Sequence, residues 1–443
     1  MKVGGRIGGM NTKEGNLEQI EGFLHEMLED LELERHKPAG VGRPRVLPSM
    51  CLWAGVLVCT LRGWSSQLAI WRLLSQKGLW DYPRFAISDQ AIYKRLGESD
   101  QTVLKRLFEL VSETLKDRLS PYAQKELAPF ASEVVAIDET SLDPIARTLP
   151  VLRQVPLGDR QLLPGKLAAI FDVRIQQWRH VEHAENPIEN EKLRARSLLE
   201  QIQPGALILA DMGYFGFAWF DQLTSQGYHW ISRLRKKTSY EVIHTYHQED
   251  ETFDGLIWLG KYRADRAQYA VRLVTFRVGK VLHRYITNVL DPHQLSLHEI
   301  AQLYARRWDI EMAFKLIKRE LGLHLFWSAK TTVILHQVWA VLIIAQILHA
   351  LQMEIAGQAG VDPFDVSLHL LVEYLPRWND IDFIALVLRE GQRGGFIRPS
   401  RRIRIRTPDL DLTAYLPLPD DLLLQRVPRY AGRKGFPYPA LDN

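Results

Sequence analysis

The sequence predicts an α/β protein with a helical N-terminal part and a mostly β insertion. Three observations carry that class. After Pro129, short β-branched apolar runs alternate with a helical stretch, as in a strand-and-helix core. Residues 47–127 and 296–375 repeat their apolar side chains at helical spacing. Residues 228–288 instead carry one strand-like run after another with no long helical period between them. At 443 residues the chain exceeds the size at which one core stops growing, so several domains or a large insertion are expected.

Taken in order, residues 1–45 are glycine-rich and charged and read as a flexible arm with one amphipathic helix at 17–33. Residues 46–130 read as a helical domain, with a turn at 62–65 and Ser88 capping the run AIYKRL. Within it, SQLAIWRLLSQKGLWDYPRFAISDQAIYKRL could be two helices around a turn with Lys94 and Arg95 on the second. That arrangement suits a DNA groove and equally suits a packing module. A catalytic domain is expected over 131–375, its strands at SEVVAIDET, LAAIFDVRI and ALILADMGYF and a helix at 189–202. The insertion falls at about 220–295, with strands at GLIWLGKYR, YAVRLVTFRV and VLHRYITNV. Residues 376–443 alternate proline, arginine and short apolar groups, a basic tail.

Composition excludes several classes. With 46% hydrophobic and 24% charged residues, disorder over most of the length is not expected. Cys51 and Cys59 stand in an apolar run without histidines at ligand spacing, which reads as buried thiols in a reducing cytoplasm. The opening MKVGGRIGGMNTKEG lacks the apolar stretch of an export signal. Residues 333–351 approach membrane-span length, but His336, Gln337, Gln346 and His349 lay polar seams on them, so a buried core helix and no membrane partner are expected. The net charge of +4 leaves a polyanionic partner to be decided by clustering. Residues 233–284 hold eleven Lys or Arg against six acids, beginning with RLRKK, which offers Arg235, Lys236 and Lys237 to phosphates. Residues 393–434 hold ten against four, including RRIRIR, whose alternation sets several arginines on one side of an extended chain.

Asp138 ends the apolar run VVAID and Asp211 ends LILAD, so each carboxylate sits where an interior strand emerges. An acid there can simply cap the following turn. Asp172, in AIFDV, is an acid of this ambiguous kind with nothing further to support it. Support for the first two comes from YARRWDIEMAFKLIKRELGL, where Tyr304, Arg307, Glu311 and Lys318 recur at offsets of 0, 3, 7 and 14. At 100° per residue these fall within an arc of about 60°. Lys315 lies beside the arc, and Ile310, Phe314 and Ile317 supply a neighbouring apolar face. Read without the aspartates, Arg307 and Glu311 are an ordinary i, i+4 ion pair.

The spacing Y-x2-R-x3-E-x6-K, with AIDET and LADMGYFG before it in that order, resembles the DDE transposases of bacterial insertion sequences over residues 131–350. The resemblance implies a ribonuclease H-like core with a mostly β insertion between the second aspartate and the glutamate. It implies Asp138, Asp211 and Glu311 as catalytic carboxylates holding Mg²⁺ or Mn²⁺, two ions in the usual arrangement, and no protein nucleophile. Tyr304, Arg307, Lys315 and Lys318 are then expected on DNA phosphates. Family members that open their ends through a hairpin stack an extruded base on a ring of the insertion, for which Trp258, Tyr285 and His283 are candidates. The partners implied are terminal inverted repeats and target DNA, with a homo-oligomer to join two ends. A plain metal-dependent nuclease and a domesticated, non-catalytic DNA-binding protein are the competing functions.

Overall fold

The computed structural model describes residues 15–31, 46–142, 165–185, 191–261, 265–378, 381–400 and 404–430. Among the described residues nine strands form one mixed sheet: β1 (Val134–Ser141), β2 (Lys166–Asp172), β3 (Gln177–Ala184), β4 (Leu207–Ala210), β5 (His229–Arg233), β6 (Tyr240–Glu249), β7 (Thr252–Leu259), β8 (Val271–Val278) and β9 (Val281–Thr287). Their spatial order is β3-β2-β1-β4-β5-β9-β8-β7-β6. β1 runs parallel to β4 and β4 to β5, while the other neighbours are antiparallel. β5 therefore belongs to the parallel centre rather than to the insertion, whose expected start near 220 is too early. The four strands β6–β9 extend the same sheet instead of forming a separate module.

The centre of the sheet is buried on both faces, as its uninterrupted apolar runs require. Val134 and Ala136 of β1, with Leu207 and Leu209 of β4, pack into one core; Val135, Ile137, Ile208 and Ala210 pack into the other. Because successive strand residues point to opposite faces, this alternation defines two helical layers. The second layer includes α6 (Glu191–Leu199) and α7 (Phe217–Ser225), which contribute Ala195, Leu198, Trp219 and Phe220. The first holds α1 (Asn16–Asp30), α2 (Ser49–Leu61), α3 (Gln67–Arg72), α4 (Asp89–Glu98) and α5 (Thr102–Leu119), together with the late helices. These are α8 (Leu297–Arg306), α9 (Trp308–Lys315), α10 (Thr331–Ala359), α11 (Leu368–Tyr374) and α12 (Phe383–Gly394).

The axis of that layer is α10, long and apolar enough to cross a membrane yet 89% buried inside the molecule over its most apolar window. Its glutamines are tied to neighbouring segments. Gln346 donates to the Trp178 carbonyl and Ser112 and accepts from the Trp178 amide of β3, and Gln337 bridges Trp327 and Leu325. The rings of His336 and His349 lie edge-on to Trp53 and Phe171.

Two expected segments are corrected. The arm expected at 1–45 contains α1, which is docked rather than loose: Leu17, Phe23, Leu24, Met27 and Leu28 are buried, Glu21 pairs with Arg62 at 2.7 Å, and Asn16 accepts from the Ile384 amide. Residues 1–14 and 32–45 lie outside the described residues. The tail expected from 376 begins with α12, whose Phe383, Ile384 and Val387 are buried in the first layer. Beyond it, residues 404–430 run across the insertion as a strap, with Arg401 and Arg402 of RRIRIR outside the described residues. Residues 424–429 pair with 266–270, Tyr415 donates to Asp254 and Tyr430 to Asp221. In the N-terminal helices, Arg95 is turned inward onto the Leu47 carbonyl and Ser49, so of the two cations offered to a DNA groove it is a packing residue.

Candidate active site

Parity along the strands places the two aspartates. Asp138 follows Val134 and Ala136 at even spacing, and Asp211 follows Leu207 and Leu209, so both side chains emerge on the face of the first helical layer. Ile137 pairs with Ala210 in parallel register, which brings the next two residues, Asp138 and Asp211, side by side on strands about 4.8 Å apart. Asp172 is separated from them on both counts. It pairs with Val135 at the far end of β1, whereas Asp138 pairs with Ala169, and the Asp172 carboxylate accepts from the Arg174 and Ile175 amides as an ordinary turn acid.

Over the same face lies the helical segment with the third carboxylate. Ile310, Ala313, Phe314 and Ile317 pack into the first core, which turns Glu311 toward the strand ends. The segment is not the single helix that its period predicts. It divides into α8, a junction at Arg307, α9 and a π turn at Leu316–Glu320. The junction is anchored by Arg306, which pairs with Asp362, and by Asp309, which accepts from Gln176 at 2.6 Å. Asp309 is fully enclosed and its pKa is pushed up to about 8 by burial. The helical count offered a signal for this anchor, since 306, 309, 313 and 316 form a buried row, but an acid in an apolar row reads as noise without its partners.

Despite the junction, the polar stripe stays together. Arg307 donates to Glu311 at 2.6 Å, and its guanidinium lies 5.8 Å from the Tyr304 ring and 5.3 Å from that of Trp308. Tyr304 is buried, its ring 4.9 Å from Tyr285 of β9. Lys318 reaches past Asp138 to donate to Thr140 Oγ1 and to the Ser141 carbonyl at 3.0 Å. Burial lowers the Lys318 pKa while the Asp138 charge works against that shift. Lys315 stands half-buried one turn before the end of the stripe. Arg235, Lys236 and Lys237 are exposed beyond β5, and Arg235 donates to the carbonyl of Met212, next to Asp211, and lies over Phe215.

Electrostatics mark the place where the acids converge. Burial pushes the Asp138 pKa up to about 7, a hydrogen bond from the Glu139 amide pulls it down, Asp211 and Glu311 push it up and Arg307 opposes them. Among the described residues no three His, Cys, Asp or Glu side chains stand close enough to hold a metal ion. Each acid instead uses an internal donor: Arg307 on Glu311, the Glu139 amide on Asp138 and the Gly213 amide on Asp211. The aromatic candidates separate as well. Trp258 is buried with Arg426 of the strap 4.5 Å from its ring, and Tyr285 is buried against Tyr304. Only His283 of the three is half-exposed, stacked on Phe276 at 5.1 Å.

Residues 160–347, which include Asp211 and Glu311, match the family described as the transposase DDE domain. Over those residues the chain is similar to the DDE domain of transposases. Among its relatives, the transposase InsG for insertion sequence element IS4 of Escherichia coli (strain K12) is 29% identical over 163 residues, 34% of this chain and 35% of that one. The transposase for insertion sequence element IS231F of Bacillus thuringiensis subsp. israelensis is 23% identical over 352 residues, 67% of this chain and 70% of its own. The chain thus spans about a third of the length of the first relative. A solved piggyBac transposase synaptic complex with hairpin DNA aligns over 85% of this chain and 81% of its own, with a TM-score of 0.38 and 10% identity. The DDE transposase match begins at residue 160, so Asp138 rests on the geometry above rather than on that match.

Proposed function

We propose that the chain is a DNA transposase that cleaves the ends of its element and joins them to target DNA, with Asp138, Asp211 and Glu311 as its catalytic carboxylates. The observation that carries this is the adjacency of the two aspartates on parallel strands facing the helix of Glu311. The order β3-β2-β1-β4-β5, with β2 antiparallel to its neighbours, supports reading the first half of the sheet as a ribonuclease H-like core.

Asp138, whose proton affinity the charges of Asp211 and Glu311 raise, would with them suit a hard divalent cation such as Mg²⁺ or Mn²⁺, and a pair of ions is the reading we favour. When bound, such ions activate the attacking oxygen and stabilise the leaving one. The remaining work falls to the chain. Glu311, here paired with Arg307, would be one of the residues that hold such an ion, and Arg307 and Lys318 offset charge on the non-bridging oxygens. The new P–O bond forms as the opposite one breaks, with water as nucleophile in cleavage and a DNA 3′-hydroxyl in joining. Tyr304, Lys315, Arg235, Lys236 and Lys237 line the approach as DNA-binding residues. Joining two ends calls for a second copy of the chain, and the activity belongs at the nucleoid in a bacterial cytoplasm.

The test incubates the full chain with Mg²⁺ and linear DNA bearing the repeats that flank its gene. End cleavage followed by strand joining is expected, and Glu311→Gln should abolish both while leaving DNA binding within about threefold. Degradation without joining would favour a nuclease, and binding without either reaction a non-catalytic protein. Full activity of Glu311→Gln would overturn the site.

A further inference from the structure

Among the cations around the acids, most already have work inside the protein. Arg307 is bound to Glu311, Lys318 to Thr140 and Ser141, Arg306 to Asp362 and Arg235 to the Met212 carbonyl. Arg233 differs. It is the last residue of β5, half-buried, and no hydrogen bond or ion pair of its side chain is found among the described residues. Its cross-strand partner is Tyr285, whose ring is 4.9 Å from that of Tyr304 and 5.9 Å from that of His283. The Arg233 charge is felt by all three rings and favours the ionised form of the tyrosines and the neutral form of the histidine.

A half-buried guanidinium without a counter-charge is costly to keep unless a ligand meets it. The groups facing it from β9 and α8 are Tyr285, His283 and Tyr304, and none of these offers a neutralising carboxylate. Asp211, a candidate metal ligand, also acts on Tyr304. A DNA phosphate entering beside Tyr304 would supply the missing anion, with five guanidinium donors available to it.

We propose that Arg233 is a further DNA-binding residue of this site: it grips a backbone phosphate on the β5 and β9 side of the acids, opposite Arg307. The proposal rests on the transposase reading above and singles out the first residue of the RLRKK run. Lys236 and Lys237 lie on the exposed turn beyond the strand.

The test measures binding of the full chain to a flanking-repeat duplex by fluorescence anisotropy in EDTA, across a series of salt concentrations. Wild type, Arg233→Gln and Arg233→Lys are compared, with thermal melting as the check on folding. Losing one phosphate contact should lower the slope of log affinity against log salt by about 0.9 for Arg233→Gln. Arg233→Lys should restore that slope. With Mg²⁺ added, end cleavage by Arg233→Gln should fall at least tenfold. If Arg233→Gln melts like wild type and keeps its slope, Arg233 holds no phosphate and the proposal fails. If Arg233→Gln misfolds while Arg233→Lys folds and keeps a reduced slope, the proposal fails too. Wild-type chain that neither binds nor cuts element ends would instead sink the transposase reading.

Discussion

Asp172 is an enclosed carboxylate whose pKa is pushed up to about 6 by burial and by the charge of Glu133, against the pull of the Ile175 and Arg174 amides and the Arg174 charge. Its ordinary value is 3.8, so between roughly pH 4 and 6 the folded chain holds a proton that the unfolded chain has lost. Its contribution to stability therefore falls as pH rises through that window and is flat above it. Asp172→Asn keeps the acceptor oxygen and removes the charge, so the variant should gain on wild type by on the order of 1–2 kcal/mol between pH 4 and 7. Melting curves of the two proteins that run parallel across that range would refute this. The comparison also shows what single residues conceal. Asp138, Asp172 and Asp211 all end apolar runs, and only strand register tells a paired acid from a turn acid.

At the scale of elements, burial decided what could be read. Strands β7, β8 and β9 announced themselves through apolar runs, whereas β3 and β6, the two edges of the sheet, carry too many polar residues to stand out as QWRHVEHA and YEVIHTYHQE. The polar stripe of Tyr304, Arg307, Glu311 and Lys318 was legible from spacing, but the junction at Arg307 was not, because its anchors Gln176 and Asp362 lie far away in sequence. The hairpin β7–β8 carries a comparable long-range device. Asp254 and Arg272 form a fully enclosed ion pair at 2.6 Å, with Arg272 also donating to the Leu295 carbonyl just before α8. Asp254→Ala leaves that guanidinium uncompensated and should cost about 3–5 kcal/mol in urea unfolding, while Asp254→Leu with Arg272→Met should recover most of it. A single variant within 1 kcal/mol of wild type would show that the pair does not hold the hairpin.

At the scale of the molecule, the strap at 404–430 ties the insertion together through Tyr415 on Asp254, Tyr430 on Asp221 and Arg426 over Trp258. A chain stopped after residue 403 should lose about 3 kcal/mol from these polar contacts and show a red-shifted tryptophan emission as Trp258 meets water. Unchanged melting and emission would mean the strap is ornamental. Composition gave no view of this role, since a proline- and arginine-rich segment reads as a tail until its partners are in place. The largest consequence belongs to the sheet. Because β9 hydrogen-bonds directly to β5, the nine strands behave as a single plank, and the distance from the acids at one end of β4 to the rings on β9 is set by the hydrogen-bond ladder. Among the described residues, core and insertion share one continuous sheet. If the chain acts on DNA ends as proposed, mismatch between a straight duplex and this continuous sheet would fall on the nucleic acid, through bending or local unstacking, so ends that deform easily should be processed faster than stiff ones of equal contact sequence.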